Sequence, residues 1–409
     1  MALLPVDEAL RRVLAGVAGP VEAESVALGN CHGRTLAQDI AARRTQPPFP
    51  ASAMDGYAVR AADVAGAPVV LEMIGESAAG RRFAGAIGPG QAVRILTGAP
   101  VPDGADAIAI QENAEALEDS RVRILEAAAP GKFLRPAGLD FREGEVLLRA
   151  GDTLDARAIA LAAAMNHATL DVRRKPRVAI IATGDELVLP GETPGPDQIV
   201  ASNIFAVAAI VANAGGEAID CGIARDTRED VARVVEVARA ASPDILLTLG
   251  GASVGEHDLV QEVLTGLGLE LGVWRIAMRP GKPLIHGRLG GMLYLGLPGN
   301  PVASMVCTVL FVVPAIRALL GDNAAAAWPP TETAILASNL DANDLRQDYL
   351  RATLEHRPGE LPLVAPFTKQ DSSMLGLLAR ADALVIRAAH APPASAGESV
   401  EIIRLAGVF

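Results

Sequence analysis

Aromatic side chains are scarce in this 409-residue chain: Phe, Trp and Tyr together make up 3%, with only two tryptophans and three tyrosines. Stacking platforms for unpaired bases need such rings, so the composition speaks against a base-stacking surface. Positive charge is also in short supply. Lys and Arg number 36 against 48 Asp and Glu, a net charge of -12, which opposes general binding to a phosphate backbone and excludes nucleic acid as the expected partner. The three cysteines, Cys31, Cys221 and Cys307, are odd in number and carry no CxxC or Cys/His spacing. Neither a disulfide framework nor a zinc site is indicated, and a reducing cytoplasm is the expected compartment. No basic segment followed by an apolar core opens the sequence, and its longest apolar run, Val302 to Leu320, is interrupted by Pro314. That run is read as the buried helix of a soluble protein rather than a membrane span.

Apolar residues, by contrast, make up 50% of the chain, and the length suits about three domains. With Ala, Val, Leu and Gly dominant, the expectation is α/β plus β: several cores of small aliphatic side chains on regular elements. Residues 1–45 and 141–175 carry helical signals, Val6 to Val17 and Asp155 to Asn166, the second capped by Thr153 or Asp155. Between them, 46–140 turns β-rich, with short runs at Val69 to Ile74, Ala92 to Leu96, Ala107 to Ile110 and Arg121 to Leu125 separated by Gly, Pro and Asp turns. This predicts one module inserted into another. Over 176–326 the pattern alternates strand and helix, predicting a three-layer α/β domain with a mostly parallel sheet. Its helices fit Asn203 to Ala214, begun by Ser202 and ended by Gly215-Gly216, and Thr227 to Ala240, where Asp226 and Glu229 have capping-box spacing. Over 327–409 short strands predict a small C-terminal β barrel.

Chemistry gathers where those strands end. The run Val178 to Ala182 reads as a strand buried on both faces, so Thr183, Gly184, Asp185 and Glu186 fall outside its carboxyl end, where open α/β sheets bind ligands. Two carboxylates there suit a cation, and a capped turn with solvated acids is the plain alternative. After the strand Asp244 to Leu249 comes Gly250-Gly251-Ala252-Ser253-Val254-Gly255-Glu256-His257-Asp258, a loop suited to cradling phosphate at a helix start. It matches neither the triphosphate-binding loop nor the dinucleotide fingerprint. Asp258 serves a metal or nucleotide there, or caps the first helical turn. The turn Arg279 to Pro283, placed after a strand Val273 to Met278, presets Arg279 and Lys282 for an anion. Pro298, Gly299 and Asn300 form a tight strand-to-helix joint. Together these loops describe a site for a phosphorylated ligand and a divalent metal, magnesium in preference to zinc because the donors are hard oxygens. His257 and His286 are assigned no catalytic role. In the N-terminal part, Pro47 to Val59, with Asp55 at a turn, reads as an irregular apolar loop. Thr97 and Asp106 in a second turn, and Arg135 and Asp140 in a third, add polar groups.

Taken in order, SAMDGYAV, TGAPVPDGAD, ATGDEL, the ASN before a helix, GGASVGEHD, RPGKP and LPGNP resemble the molybdopterin molybdenumtransferase (molybdenum insertase) family, related to the C-terminal part of gephyrin, over nearly the full length. The resemblance implies an elongated homodimer of four domains per chain. The implied reaction takes adenylylated molybdopterin and molybdate, inserts molybdenum at the dithiolene sulfurs with magnesium assisting, and releases AMP. A molybdopterin adenylyltransferase is an implied partner. By matched position, Glu186, Asp55, Asp140, Asp226 and Asp258 are the implied catalytic acids, Glu186 and Asp258 the metal ligands. Thr97, Thr183, Gly184, Asp185, Ser202, Asn203, Gly250, Gly251, Ser253, Gly255, Pro298, Gly299 and Asn300 are implied to bind substrate, with Arg279, Lys282, Arg351 and Ser372 as anion contacts. Arg279 stands where the family commonly has lysine, and Asp371 and Gly376-Leu377 depart from the family pattern around Ser372. A noncatalytic molybdopterin-binding scaffold and a molybdopterin adenylyltransferase are the competing readings. The second lacks SAMDGYAV and the C-terminal β module, both present here.

Overall fold

The computed structural model describes residues 3–251, 259–325 and 328–409. Ser253, Gly255 and Asp258 lie outside the described residues, as does His257. The central sheet runs in the order Glu217–Ala224, Arg177–Thr183, Ile245–Leu249, Met292–Leu297, Pro283–Leu289, Leu269–Arg275. Its first four strands are parallel, and a hairpin supplies the last two in antiparallel register. The continuous apolar run of Arg177–Thr183 follows from burial on both sides. Val178, Ile180 and Ala182 pack toward the helix Asn203–Asn213 and the long helical segment beginning at Pro301, while Ala179 and Ile181 meet Val231, Val234, Val235 and Ala238 of the helix Arg228–Ala240 and Leu264 of the helix Leu259–Gly266.

The apolar segment forms the helix Pro301–Cys307, a π turn Thr308–Val312 and the helix Val313–Leu320. Pro314 offers no N–H and crowds the carbonyl one turn back, and a widened turn immediately before it absorbs the misfit. In its most apolar window 83% of the residues are buried within the protein, so the segment is spent on the core of the three-layer domain.

The expected mixture of α/β and β is what the chain forms. In the N-terminal part, a six-stranded sheet has the order Ala107–Ile110, Gly56–Val59, Gln91–Ile95, Val69–Ser77, Arg121–Ile124, Ala114–Leu117. The reading of Pro47 to Val59 as an irregular loop is corrected here: Gly56–Val59 is a fully buried inner strand, which the neighbouring prolines and Asp55-Gly56 disguise as turn. Segments before and after this sheet pair with each other, Ala23–Ala27 with Thr169–Arg173 and Ile40–Ala41 with Val146–Leu148, over a shared core containing Leu36, Phe141, Leu154 and Leu170. Asp155 caps the helix Ala156–Ala164 by accepting from the Ala158 N–H at 2.9 Å. The opening helix Val6–Ala15 does not join that core; it buries Ala9 and Val13 in the three-layer domain.

At the C-terminal end, strands Gln347–Glu355, Leu363–Pro366, Glu332–Leu336, Ser399–Arg404 and Ala383–Arg387 follow one another, and the last closes back on the first. This closed five-stranded barrel removes the free edges that an open sheet would present.

One helix start differs from its expected form. Thr227, not Asp226, caps Arg228–Ala240, its hydroxyl accepting from the Asp230 N–H at 3.2 Å, and this releases the Asp226 carboxylate toward the end of the sheet. Thr227→Ala is expected to lower unfolding free energy by about 1 kcal/mol, and Asp226→Asn to leave it within about 0.5 kcal/mol of wild type, as measured by urea denaturation.

Candidate functional site

The carboxyl ends of the parallel strands open into a hollow of about 1030 Å³. Thr183, Gly184 and Glu186 reach it from one strand, Asp226 from the next, Gly250 and Gly251 from the third, and Pro298, Gly299 and Asn300 from the fourth. Ser202 and Asn203 enter from the helix start, and Ser372 from a loop of the C-terminal domain. A smaller hollow of about 520 Å³, beside Met305, Leu378 and Phe409, contains none of these residues. Within it Asp382 accepts from the Leu354 N–H at 2.9 Å and Arg404 pairs with Glu332 at 2.7 Å.

Positive φ favours glycine at two of these turns, and at the second a backbone atom leaves no room for a side chain. Gly184 has φ +146°, and a Cβ there would stand 2.3 Å from a Glu186 carboxylate oxygen, because that side chain folds back over the turn. Gly250 has φ +98°, and its Cβ would meet the Thr183 carbonyl oxygen at 2.8 Å. Side-chain amides then stitch the walls together: Asn203 Nδ2 donates to the Gly299 carbonyl at 2.7 Å, and Asn300 Nδ2 donates to Ser372 Oγ at 2.9 Å. The second bond ties the C-terminal domain to the floor of the hollow, reinforced by the Val302 N–H donating to the Ser372 carbonyl at 3.1 Å.

Several expected site residues stand elsewhere. Asp185 turns away from the hollow, and its Oδ1 accepts from the Asp226 N–H at 3.1 Å. Arg279 is not poised for an anion: its Nε donates to Asp348 Oδ1 at 2.9 Å, its Nη2 grips the other oxygen of the same carboxylate, and Asp344 lies 3.7 Å away. These carboxylates raise its already high pKa. The cause of the displacement is local. The expected strand Val273 to Met278 breaks after Arg275, and Met278–Arg279 pairs with the barrel strand Gln347–Glu355 instead of continuing the central sheet. Lys282 is exposed beside Gly281 and Pro283, which do line the hollow.

Arg351 is also set back, at 1% exposure. Its backbone N–H and Nε donate to Gln370 Oε1 at 3.0 and 3.2 Å and its Nη1 to the Met374 carbonyl at 3.1 Å, so it braces the loop bearing Ser372 from behind. Burial pulls its pKa down. Asp55 accepts from both the N–H and the hydroxyl of Thr97 at 2.7 Å, and these two bonds hold its carboxyl below the usual range. Such a group is ionised at neutral pH, and the preference it lends the folded form fades only in acid as pH falls through its lowered pKa. Neither it, nor Thr97, nor the exposed Asp140 lines the hollow of its own chain.

The hollow also holds residues that motif reading passed over. Leu187, Ile199 and Val200 form an apolar wall, with Ile199 at 59% and Val200 at 42% exposure, and Ser373 stands beside Ser372. Ile199 and Val200 directly precede the recognised ASN segment, and that adjacency was the available signal. Among the described residues no group of three or more His, Cys, Asp or Glu could close a metal cage. Two carboxylates opening on a roomy hollow do fit magnesium, which keeps several waters and takes the rest of its shell from a substrate phosphate.

Architecture and site define a multidomain α/β protein whose ligand hollow lies at the strand tips of a three-layer domain. Family profiles described as "MoeA N-terminal region (domain I and II)", "Probable molybdopterin binding domain" and "MoeA C-terminal region (domain IV)" match residues 4–166, 179–318 and 333–405. Relatives called molybdopterin molybdenumtransferase include one from Nostoc sp., 37% identical with 94% of this chain and 89% of the relative covered. Another, from Haemophilus influenzae, is 32% identical with 98% of each chain covered. A solved molybdopterin biosynthesis MoeA protein from Pyrococcus horikoshii superposes with a TM-score of 0.83 at 32% identity, covering 98% of this chain and 99% of that one. The chain belongs to the molybdopterin molybdenumtransferase family.

The Arg279 clamp gives a test of its own. Asp348 has only 5% of its side chain exposed, so Arg279→Lys, which keeps the charge and loses the fork, is expected to cost about 1–3 kcal/mol, toward the low end because the Arg279 side chain is 45% exposed. Calorimetric unfolding of the two proteins at one pH measures it, and an unchanged transition rejects the structural role.

Proposed function

We propose that the hollow binds adenylylated molybdopterin with molybdate as co-substrate, transfers molybdenum to the dithiolene sulfurs and releases AMP. The observation that carries this reading is the convergence of Glu186, Asp226, Gly250, Gly251 and Asn300 on one hollow at the strand tips. Membership of the family supports the transfer of molybdenum to molybdopterin.

In this reading Glu186, with Asp258, holds magnesium, and the two carboxylates Glu186 and Asp226 supply the negative lining that a cation needs. A magnesium ion held by these carboxylates would supply positive charge beside the phosphate oxygens of the ligand. The loop opened by Gly250 and Gly251 and continued by Ser253 and Gly255 cradles the phosphate. Lys282, exposed between Gly281 and Pro283, is the cation at the mouth, while Arg279 fixes the neighbouring domain. Ser372, held by Asn300, and Arg351, behind the same loop, position the molybdate oxyanion. The apolar wall of Leu187, Ile199 and Val200 faces the uncharged part of the ligand and sheds water as the hollow fills, which strengthens the polar contacts around it.

Asp55, Thr97 and Asp140 belong, in the same proposal, to the hollow of a second copy of the chain. Their own chain does not bring them to its hollow, and Asp55 is held ionised by Thr97 at the tip of a β module.

Glu186→Gln and Asp226→Asn are each expected to slow AMP release and cofactor formation on the order of a hundredfold, with the fold unchanged by circular dichroism. Turnover equal to wild type in both variants ends the assignment. For the second-copy arrangement, equal mixtures of Asp55→Asn and Glu186→Gln chains, unfolded and refolded together, are expected to recover about a quarter of wild-type activity, the share of intact hollows that random pairing leaves. Recovery no greater than the sum of the separate variants rejects it.

A further inference from the structure

We infer that Arg225 is a positioning residue that sets the spacing of Glu186 and Asp226, although it does not line the hollow and belongs to none of the motifs read from the sequence. Its guanidinium Nη1 donates to two backbone carbonyls of the adjacent strand tip, Asp185 at 3.0 Å and Leu187 at 3.1 Å. These carbonyls flank Glu186 on either side in sequence, so one donor grips the turn at the residues before and after the carboxylate it presents.

The grip is reciprocal. The Asp226 N–H donates to Asp185 Oδ1 at 3.1 Å, and the Gly184 N–H donates to the Ala224 carbonyl at 3.1 Å. From the other side, the Arg225 N–H donates to Asp230 Oδ2 at 2.8 Å, which anchors the turn to the helix Arg228–Ala240. Asp230 is held below the usual carboxylate range, first by that backbone bond and then by Arg233. Two turns that carry one acid each are thereby fastened into a single rigid unit, whose outer end is bolted to a helix. Asp185, expected to touch substrate, is part of this fastening.

The inference rests on the reading of Glu186 and Asp226 as facing one cation, and its test exploits a conflict of sign. Arg225 brings a positive charge to the turn that carries Glu186 and directly precedes Asp226 in the chain. If it acted through charge alone, removing it would strengthen cation binding. If it acts by spacing the carboxylates, removal weakens cation binding in spite of the more negative surroundings, by roughly tenfold to a hundredfold, as for other groups that orient a ligand from behind.

The probe is Mn²⁺ titrated into the full chain with saturating AMP and followed by electron paramagnetic resonance, with wild type, Arg225→Met, Arg225→Lys and Glu186→Gln compared. Expected results are weakened Mn²⁺ binding in Arg225→Met, partial recovery in Arg225→Lys, and faster amide exchange confined to residues 184–188 in Arg225→Met, with the strand Ile245–Leu249 still protected. Affinity in Arg225→Met equal to or above wild type overturns the inference. If Glu186→Gln has lost Mn²⁺ at the same time, the cation reading survives that failure. If Glu186→Gln binds Mn²⁺ as wild type does, the cation reading falls and the inference with it. Global loss of exchange protection in Arg225→Met would show a folding role in place of a positioning one and also overturns it.

Discussion

Burial of the parallel strands on both faces is the constraint from which the rest of this structure follows. Ala179 and Ile181 are pressed on one helical layer and Val178, Ile180 and Ala182 on the other, so the strand has no face on which to carry a functional side chain. Polar chemistry is displaced to the residues just past each strand end, and parallel connectivity puts those ends on the same edge. The hollow is a by-product of that geometry, and its acids are free to be acids because Thr227 has taken over the capping that Asp226 could have done.

What was legible in the sequence follows from the same constraint. A run such as Val178 to Ala182 has one physical explanation, and the turns at Thr183, Gly250 and Pro298 carried recognisable glycines, acids or amides, so the parallel sheet and those three turns could be placed from residue types, whereas Asp226, Ser202, Asn203 and Ser372 entered the site only through the family resemblance. The failures have local causes. Gly56–Val59 hid as an inner strand because its approach is stiffened by prolines and its first residue follows an aspartate. Arg279 was assigned to an anion because nothing in RPGKP reveals that the chain changes sheets between Arg275 and Met278 and so delivers its guanidinium to Asp348. Arg225 left no signal, since a charged residue before a helix looks like any solvated one until its two carbonyl partners are seen.

The C-terminal barrel is seated on the three-layer domain by a shared apolar core, in which Tyr349, Leu384, Ile403 and Leu405 join Val306, Val309 and Phe311. Its strands are paired around the full circle, so nothing is left over for sheet extension except the short parallel addition of Met278–Arg279. With the barrel held by that core and strand, the Asn300–Ser372 bond and the loop braced by Arg351 set where Ser372 stands relative to the hollow. Arg279 and Ser372 thus have related tasks despite their different surroundings: one fixes the barrel, and the other brings a piece of it to the ligand.

The pairing of Ala23–Ala27 with Thr169–Arg173 carries a consequence for biosynthesis. Ala23 meets Arg173, 150 positions later (173 − 23), and Leu4 bridges to Ile276. A nascent chain leaving the ribosome therefore cannot complete its first module until the intervening β sheet has emerged, and its opening helix has no seat until most of the three-layer domain has been translated. Val6–Ala15 is translated ahead of the strands and helices that bury Ala9 and Val13, and its apolar side stays uncovered until they emerge.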